Sequence, residues 1–191
     1  MNTVIYGRGG IASLVEIWCE CFGDSPDVPT EFYSNVKADI LVAEEDGKTV
    51  GVVNILPVTL GEYTGGYVYA AGVKNDFRGR GIFDRLLSET DSFLKKKGAD
   101  FVCLVPGDES LAKTYTKRGY TEKTERHDPK KPKAVGGAVI VSEKDFSEFA
   151  TPDGEEKYDF DAVCPYGLLK PLSDRFAVTE AIRFAWFMGE A

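Results

Sequence analysis

The residues best placed for chemistry lie mid-chain, in Asn75-Asp-Phe-Arg-Gly-Arg-Gly-Ile-Phe-Asp-Arg-Leu86. Arg78 and Arg80, with Lys74 just before them, gather positive charge in a chain whose formal net charge is −8. Gly79 and Gly81 have no Cβ, so a ligand can approach the backbone closely. A helix starting at about Gly79–Arg80 would direct its first N–H groups outward with partial positive charge, which suits a phosphate. Two familiar phosphate loops do not match: GxxxxGK[ST] is absent, and GxGxxG fails because Asp84 stands at the third glycine. The competing reading is a solvated basic turn. Arginines at a helix start oppose the helix dipole, and either an anionic ligand or Asp76 and Asp84 would offset that.

Other catalytic chemistry is thinly supplied. The only histidine, His127, falls in the polar loop EKTERHDPKKPK, which argues against a Ser-His-Asp or Cys-His catalyst. The four cysteines (Cys19, Cys21, Cys103, Cys164) show no CxxC spacing, and ligands for zinc are too few, so no metal is expected. Cys19 and Cys21 fall in an amphipathic pattern, where a buried thiol is the plain reading. The net negative charge disfavours sequence-independent nucleic-acid binding. No apolar run reaches a membrane span, and the first ten residues lack a signal-peptide layout, so a cytoplasmic chain without membrane partners is expected.

The elements that must position the basic turn are readable. Ile11, Leu14, Val15, Trp18 and Phe22 follow helical spacing up to Gly23, and Pro29 opens a second short helix carrying Phe32, Tyr33 and Val36. Residues 40–58 read as two strands turning at Asp46-Gly47. Residues 65–73 (GGYVYAAGV) suit a strand buried on both faces. After the turn, Ile82, Phe83, Leu86, Leu87, Phe93 and Leu94 line one helix face, closed by Gly98. Phe101–Val105 is a buried strand stopped by Pro106-Gly107. Asp108 caps a helix running to about Arg118 that carries Leu111 and Tyr115, and Gly119 ends it. Strand returns from Tyr120 and again over Ala134–Val141. Residues 142–191 are less legible: Ile182–Met188 suits a strand or a short helix, and Cys164–Leu172 either lines a pocket or braces the sheet. The order implies an α/β (α+β) fold around one mixed, mostly antiparallel central sheet flanked by helices. One domain over 1–191 is expected, since the length suits a single core.

With this setting, Arg78-x-x-Gly81-x-Phe83 between an apolar strand and an amphipathic helix resembles the acyl-CoA-binding motif of the GNAT superfamily of N-acyltransferases. That motif is Arg or Gln, two residues, Gly, one residue, then Gly or Ala. Tyr115, three residues, Gly119 and Tyr120 resemble the family's following helix, and LVPGDESL resembles the segment before it. The resemblance covers residues 11–125, leaving 126–191 unmatched. Phe83 departs from the pattern, and its place beside Ile82, Leu86 and Leu87 predicts that it turns into the core.

The resemblance implies a site and a reaction. Backbone amides of Arg78, Gly79, Arg80, Gly81, Ile82 and Phe83 would hold the pyrophosphate of acetyl-CoA or CoA, with the arginines as helpers. The pantetheine arm would run along Ala71, Gly72 and Val73, where a backbone N–H would stabilise charge on the acyl carbonyl. A small-molecule amine or a peptide amino group would attack the thioester directly, with Tyr115 as general acid. Packing against Leu111 is the structural alternative for Tyr115. No base stands out: Glu62, Asp108 and Glu109 are candidates by element order, and solvent is another. A non-catalytic acyl-CoA-sensing or partner-binding module is the alternative function. Monomer and homodimer are both compatible with the chain.

Overall fold

The computed structural model describes residues 3–6, 10–125, 138–141, 166–177 and 183–184. The first six elements are β1 (Thr3–Tyr6), α1 (Ile11–Phe22), α2 (Asp27–Asn35), β2 (Asp39–Glu45), β3 (Lys48–Leu60) and β4 (Tyr63–Val73). A single 3-10 turn, Asn75–Phe77, leads to α3 (Ile82–Lys96), β5 (Phe101–Leu104) and α4 (Glu109–Thr116). The remaining strands are β6 (Glu122–Glu125), β7 (Ala138–Val141), β8 (Tyr166–Pro171) and β9 (Arg183–Phe184).

Local chemistry explains most boundaries. Gly23 closes α1 in the left-handed conformation at φ 80°. Asp46 and Gly47 both take positive φ, 51° and 74°, matching the twist a two-residue hairpin requires. Asp108 accepts a hydrogen bond at Oδ1 from the Leu111 N–H and so caps α4.

Two helix starts differ from the sequence reading. α2 opens at Asp27, behind Pro26, rather than at Pro29. Pro29 is tolerated because it sits in the first turn, where its missing N–H would have had no helical partner. α3 opens at Ile82 rather than at Gly79–Arg80, because Gly79 and Gly81 take left-handed φ of 75° and 74°. At the other end, α4 stops at Thr116, two residues short of Arg118.

Within the described residues the sheet order is β1-β2-β3-β4-β5-β8-β6-β9-β7, and β7 also pairs with β3. The β4–β5, β6–β9 and β7–β9 pairs are parallel and the others antiparallel, giving the mixed, mostly antiparallel sheet. β8 lies between β5 and β6, so the segment ending at Leu172 braces the sheet. Its Leu168 and Leu169 pack into opposite cores. The sequence reading placed no strand at β1. Of the C-terminal strand expectations, β7 and β9 fall in the described residues, while 134–137, 142–165 and 185–191 lie outside them, as does His127.

The sheet is sandwiched between two apolar layers. Leu14, Ile17 and Trp18 of α1 join Phe32 and Tyr33 of α2 over one face. Ile82, Leu86, Leu87 and Leu94 of α3 join Ala112 and Tyr115 of α4 over the other. At the start of β5, buried Asp100 ties three segments together. Its carboxylate accepts from the Thr64 N–H (3.0 Å), Ser173 Oγ (2.8 Å) and Arg175 Nε (2.6 Å), and its carbonyl accepts from the Leu172 N–H (2.7 Å). Arg175 beside Asp100 holds that carboxyl well below the usual carboxylate range. The staple fixes where β4 and β5 begin to run together.

Candidate active site

β4 and β5 run together only briefly. They pair in parallel from Gly65↔Phe101 to Tyr67↔Cys103, and β5 ends one residue later. Among the described residues, no strand lies beside β4 on that edge from Ala70 to Val73. On the other edge β4 stays paired to β3, but the register shifts: Val52 faces Gly72 while Asn54 faces Tyr69. Ala70 and Ala71 thus stand opposite Val53 alone, a β-bulge, and Ala70 takes φ 45°.

The split opens into a cavity of about 570 Å³. Ala71, Gly72 and Val73 form one wall, and Arg78, Gly79, Gly81, Ile82 and Phe83 form the next. Tyr115 closes it from α4. Gly79 and Gly81 are required by their positive φ, and a Cβ at either would meet nothing within 4 Å. The first helical bond of α3 runs from the Arg85 N–H to the Gly81 carbonyl (3.1 Å), so the N–H groups ahead of it have no helical partner.

The basic side chains are placed differently from their backbone. Arg78 folds back, donating from Nε to the Val73 carbonyl at 3.0 Å and from Nη2 to Cys21 Sγ at 3.8 Å. Arg80 leaves the cavity wall altogether. It pairs with Glu45 (3.1 Å), donates to the Asp76 carbonyl (2.8 Å) and lies over the Phe77 ring at 4.9 Å. Lys74 pairs with Glu16 at 2.7 Å. Both arginines therefore shape the turn. The cavity-lining cation that the sequence reading did not single out is Arg118, ion-paired with Asp84 across the cavity wall and held by the Thr114 carbonyl. Its one signal is its place three residues after Tyr115.

Tyr115 is buried, packed edge-to-face against Phe83 at 5.9 Å and Tyr120 at 5.7 Å. Among the described residues its hydroxyl has no hydrogen bond, and burial pushes its pKa well above the ordinary phenol value. Phe83 was expected to turn into the core. It does pack against the core of Ile82, Leu86 and Leu87, and it also stays half-buried at the cavity wall against Tyr115. Cys21 and Phe22 enter the cavity from the end of α1. The Cys21 thiol contacts the Val73 carbonyl at 3.5 Å across 52 residues of sequence, so no local pattern announces it. Burial raises its pKa, partly offset by Arg78. None of the three carboxylates offered as bases lines the cavity: Asp108 caps α4, Glu109 opens it, and Glu62 sits in the β3–β4 turn. Among the described residues no group of three or more His, Cys, Asp or Glu converges, and no helix is long and apolar enough to cross a membrane.

Residues 8–122, more than half of the chain, match the family model described as an acetyltransferase (GNAT) domain. The chain belongs to this family of GNAT acetyltransferases. It is 31% identical over 112 residues to an acetyltransferase of Pectobacterium atrosepticum, spanning 55% of this chain and 75% of that one. The fold is similar to that of a GNAT family N-acetyltransferase of Escherichia coli solved in complex with CoA. That match has a TM-score of 0.61 and 15% identity, covering 96% of this chain and 89% of that one. A third match is the glucosamine N-acetyltransferase region of a fungal multi-domain β-N-acetylglucosaminidase, at TM-score 0.53 and 20% identity. It covers 62% of this chain, which spans 16% of the fungal protein.

Proposed function

We propose that this chain is an acyl-CoA-dependent N-acyltransferase that moves an acetyl group from acetyl-CoA to a primary amine, with Tyr115 as general acid. One observation carries the reading: the open β4 edge leads directly onto a glycine turn whose helix-start N–H groups have no helical partner. A peptide-like ligand arm fits the first and an anion fits the second. The cavity volume is that of a small-molecule site. Family membership, and a solved family member that holds CoA, support the choice of ligand.

Each residue then has a task. Ala71, Gly72 and Val73 offer backbone groups to the pantetheine arm and to the acyl carbonyl oxygen, where an N–H stabilises developing negative charge. The backbone of Arg78, Gly79, Arg80, Gly81, Ile82 and Phe83 holds the pyrophosphate, while the two arginine side chains brace the turn. Acetyl-CoA supplies an activated acetyl thioester. Tyr115 is protonated at neutral pH like any phenol, and burial raises its pKa further. A thiol titrates at roughly 8.5, below this phenol, so Tyr115 works as general acid by donating a hydrogen bond to the sulfur as it departs, and bulk water supplies the proton CoA finally carries. The acceptor is a small-molecule amine or a peptide amino group that loses its proton to solvent, since no carboxylate lines the described cavity except Asp84, already paired with Arg118.

Thermal unfolding with CoA and acetyl-CoA tests the cofactor, and thiol release from acetyl-CoA across a panel of amines tests the reaction. Both ligands should raise Tm, and Gly81→Glu should abolish the rise by placing a carboxylate where phosphate binds. Tyr115→Phe should keep binding but lose about 100-fold or more in turnover. No Tm rise in the wild type overturns the cofactor reading. CoA binding without acetyl-CoA consumption by any amine favours the alternative, an acyl-CoA-sensing module.

A further inference from the structure

We infer that Asn54 is a positioning residue: its side chain holds the β4 bulge in the shape that presents backbone groups to the acyl carbonyl. This rests on the cofactor reading above and goes beyond it, since Asn54 does not line the cavity.

Asn54 is 0% exposed, a primary amide in the floor of an apolar core. Burying an amide is unfavourable unless its groups are paired. Its Nδ2 donates to the Ala70 carbonyl at 3.2 Å, from the strand facing the bulge. Ala70 is one of two non-glycine residues at positive φ among those described, and the other, Asp46, lies in a hairpin turn where such angles are ordinary. An alanine persists in the left-handed region only when its surroundings hold it there. The bulge withdraws Ala70 from the β3–β4 register, and the Asn54 amide takes up its carbonyl.

The orientation of that amide is set by the Ala70 carbonyl, which can accept only from Nδ2. Asn54 Oδ1 and the Tyr33 hydroxyl are both buried and without a hydrogen-bond partner among the described residues. Tyr33 lies against Asn54, and burial pushes its phenol up to about 12, so it remains a protonated donor. Turning the amide over would set Oδ1 against the Ala70 carbonyl, oxygen to oxygen. The outcome is a strand end at which Ala71, Gly72 and Val73 all line the cavity.

The test compares the affinities of the intact chain for acetyl-CoA and CoA, measured by calorimetry, so that no acceptor is needed. The two ligands differ by the acetyl group alone. Asn54→Leu should reduce the preference for acetyl-CoA about tenfold, roughly 1.4 kcal/mol, with CoA affinity nearly unchanged. Ala70→Val, in which a β-branched residue resists positive φ, should produce the same selective loss. Ala70→Gly added to Asn54→Leu should restore the preference, because glycine takes that φ unaided. Equal weakening of both ligands would mark ordinary structural damage and overturn the role. So would a preference that ignores these changes, or a wild type that binds both ligands equally. A wild type that binds neither ligand overturns the cofactor reading as well.

Discussion

Gly72 is predicted to be glycine for two separable reasons, and one substitution series tells them apart. Its φ is not positive, so backbone strain is not among them. A Cβ built there would sit 2.6 Å from Cys21 Sγ and 3.1 Å from Cys21 Cβ. The thiol cannot retreat freely, because it contacts the Val73 carbonyl and Arg78. Overpacking of this kind costs about 1–3 kcal/mol, so Gly72→Ala should destabilise by about 2 kcal/mol. For a chain of this size that lowers Tm by roughly 4–8 °C. Cys21→Ala removes a half-buried sulfur and should cost about 1 kcal/mol alone. In the double variant the sulfur is gone before the methyl arrives, so the total should stay near about 1 kcal/mol instead of the sum of about 3. Urea unfolding of the four proteins, with constant m-values, measures the coupling. Additivity within about 0.5 kcal/mol would refute the packing argument. The second reason is ligand approach: the stable double variant should still bind CoA poorly if backbone at Gly72 must be bare.

Three further outcomes follow from the same geometry. Gly81→Ala meets no atom within 4 Å but must hold φ 74°. It should cost about 1–2 kcal/mol in urea unfolding, whereas Gly107→Ala, whose Cβ makes only an ordinary contact with Leu111 at 3.6 Å, should not destabilise. Asp100 has its folded pKa depressed, chiefly by Arg175, so its contribution is complete above the unfolded value of about 3.9 and lost as pH falls through the folded value. The stability gap between wild type and Arg175→Gln should therefore narrow below about pH 4, and a gap that widens would contradict the assignment. Arg118→Gln leaves Asp84 unopposed at the cavity wall and should weaken CoA binding by up to about fivefold at low salt, less at high salt.

Much of the scaffold was legible because it is local. The spacing from Ile11 to Phe22, the Asp46-Gly47 turn, the Ile82–Leu94 face and the Asp108 cap are each settled by residues a few positions apart. One failure has an equally local cause. Gly79 and Gly81 looked like the start of α3, yet two left-handed residues in three postpone a helix. β1 and β8 escaped because short strands earn their identity from partners: β8 exists between β5 and β6, both distant in sequence. Within the candidate site, Gly72, Gly79, Gly81 and Tyr115 were readable as residue types in a pattern. Cys21 and Arg118 were not, since their roles depend on Val73 and Asp84 reached through the fold.

The bulge shows where the division falls. Residue types alone place a strand end near Val73, a glycine-rich basic turn after it, and a helix bearing Tyr115 later. These properties rest on backbone preference and apolar periodicity, which act over a few residues. Folding puts Ala70, in a plain Ala70-Ala71-Gly72 run, at the left-handed angle, where the Asn54 amide from another strand takes up its carbonyl. The tertiary structure likewise decided that the arginines of the turn brace the protein while bare backbone faces the cavity, since Val73, Glu45 and the Asp76 carbonyl lie within their reach. Side chains on flexible stems go to the acceptors that folding brings near, and a linear pattern does not contain those distances.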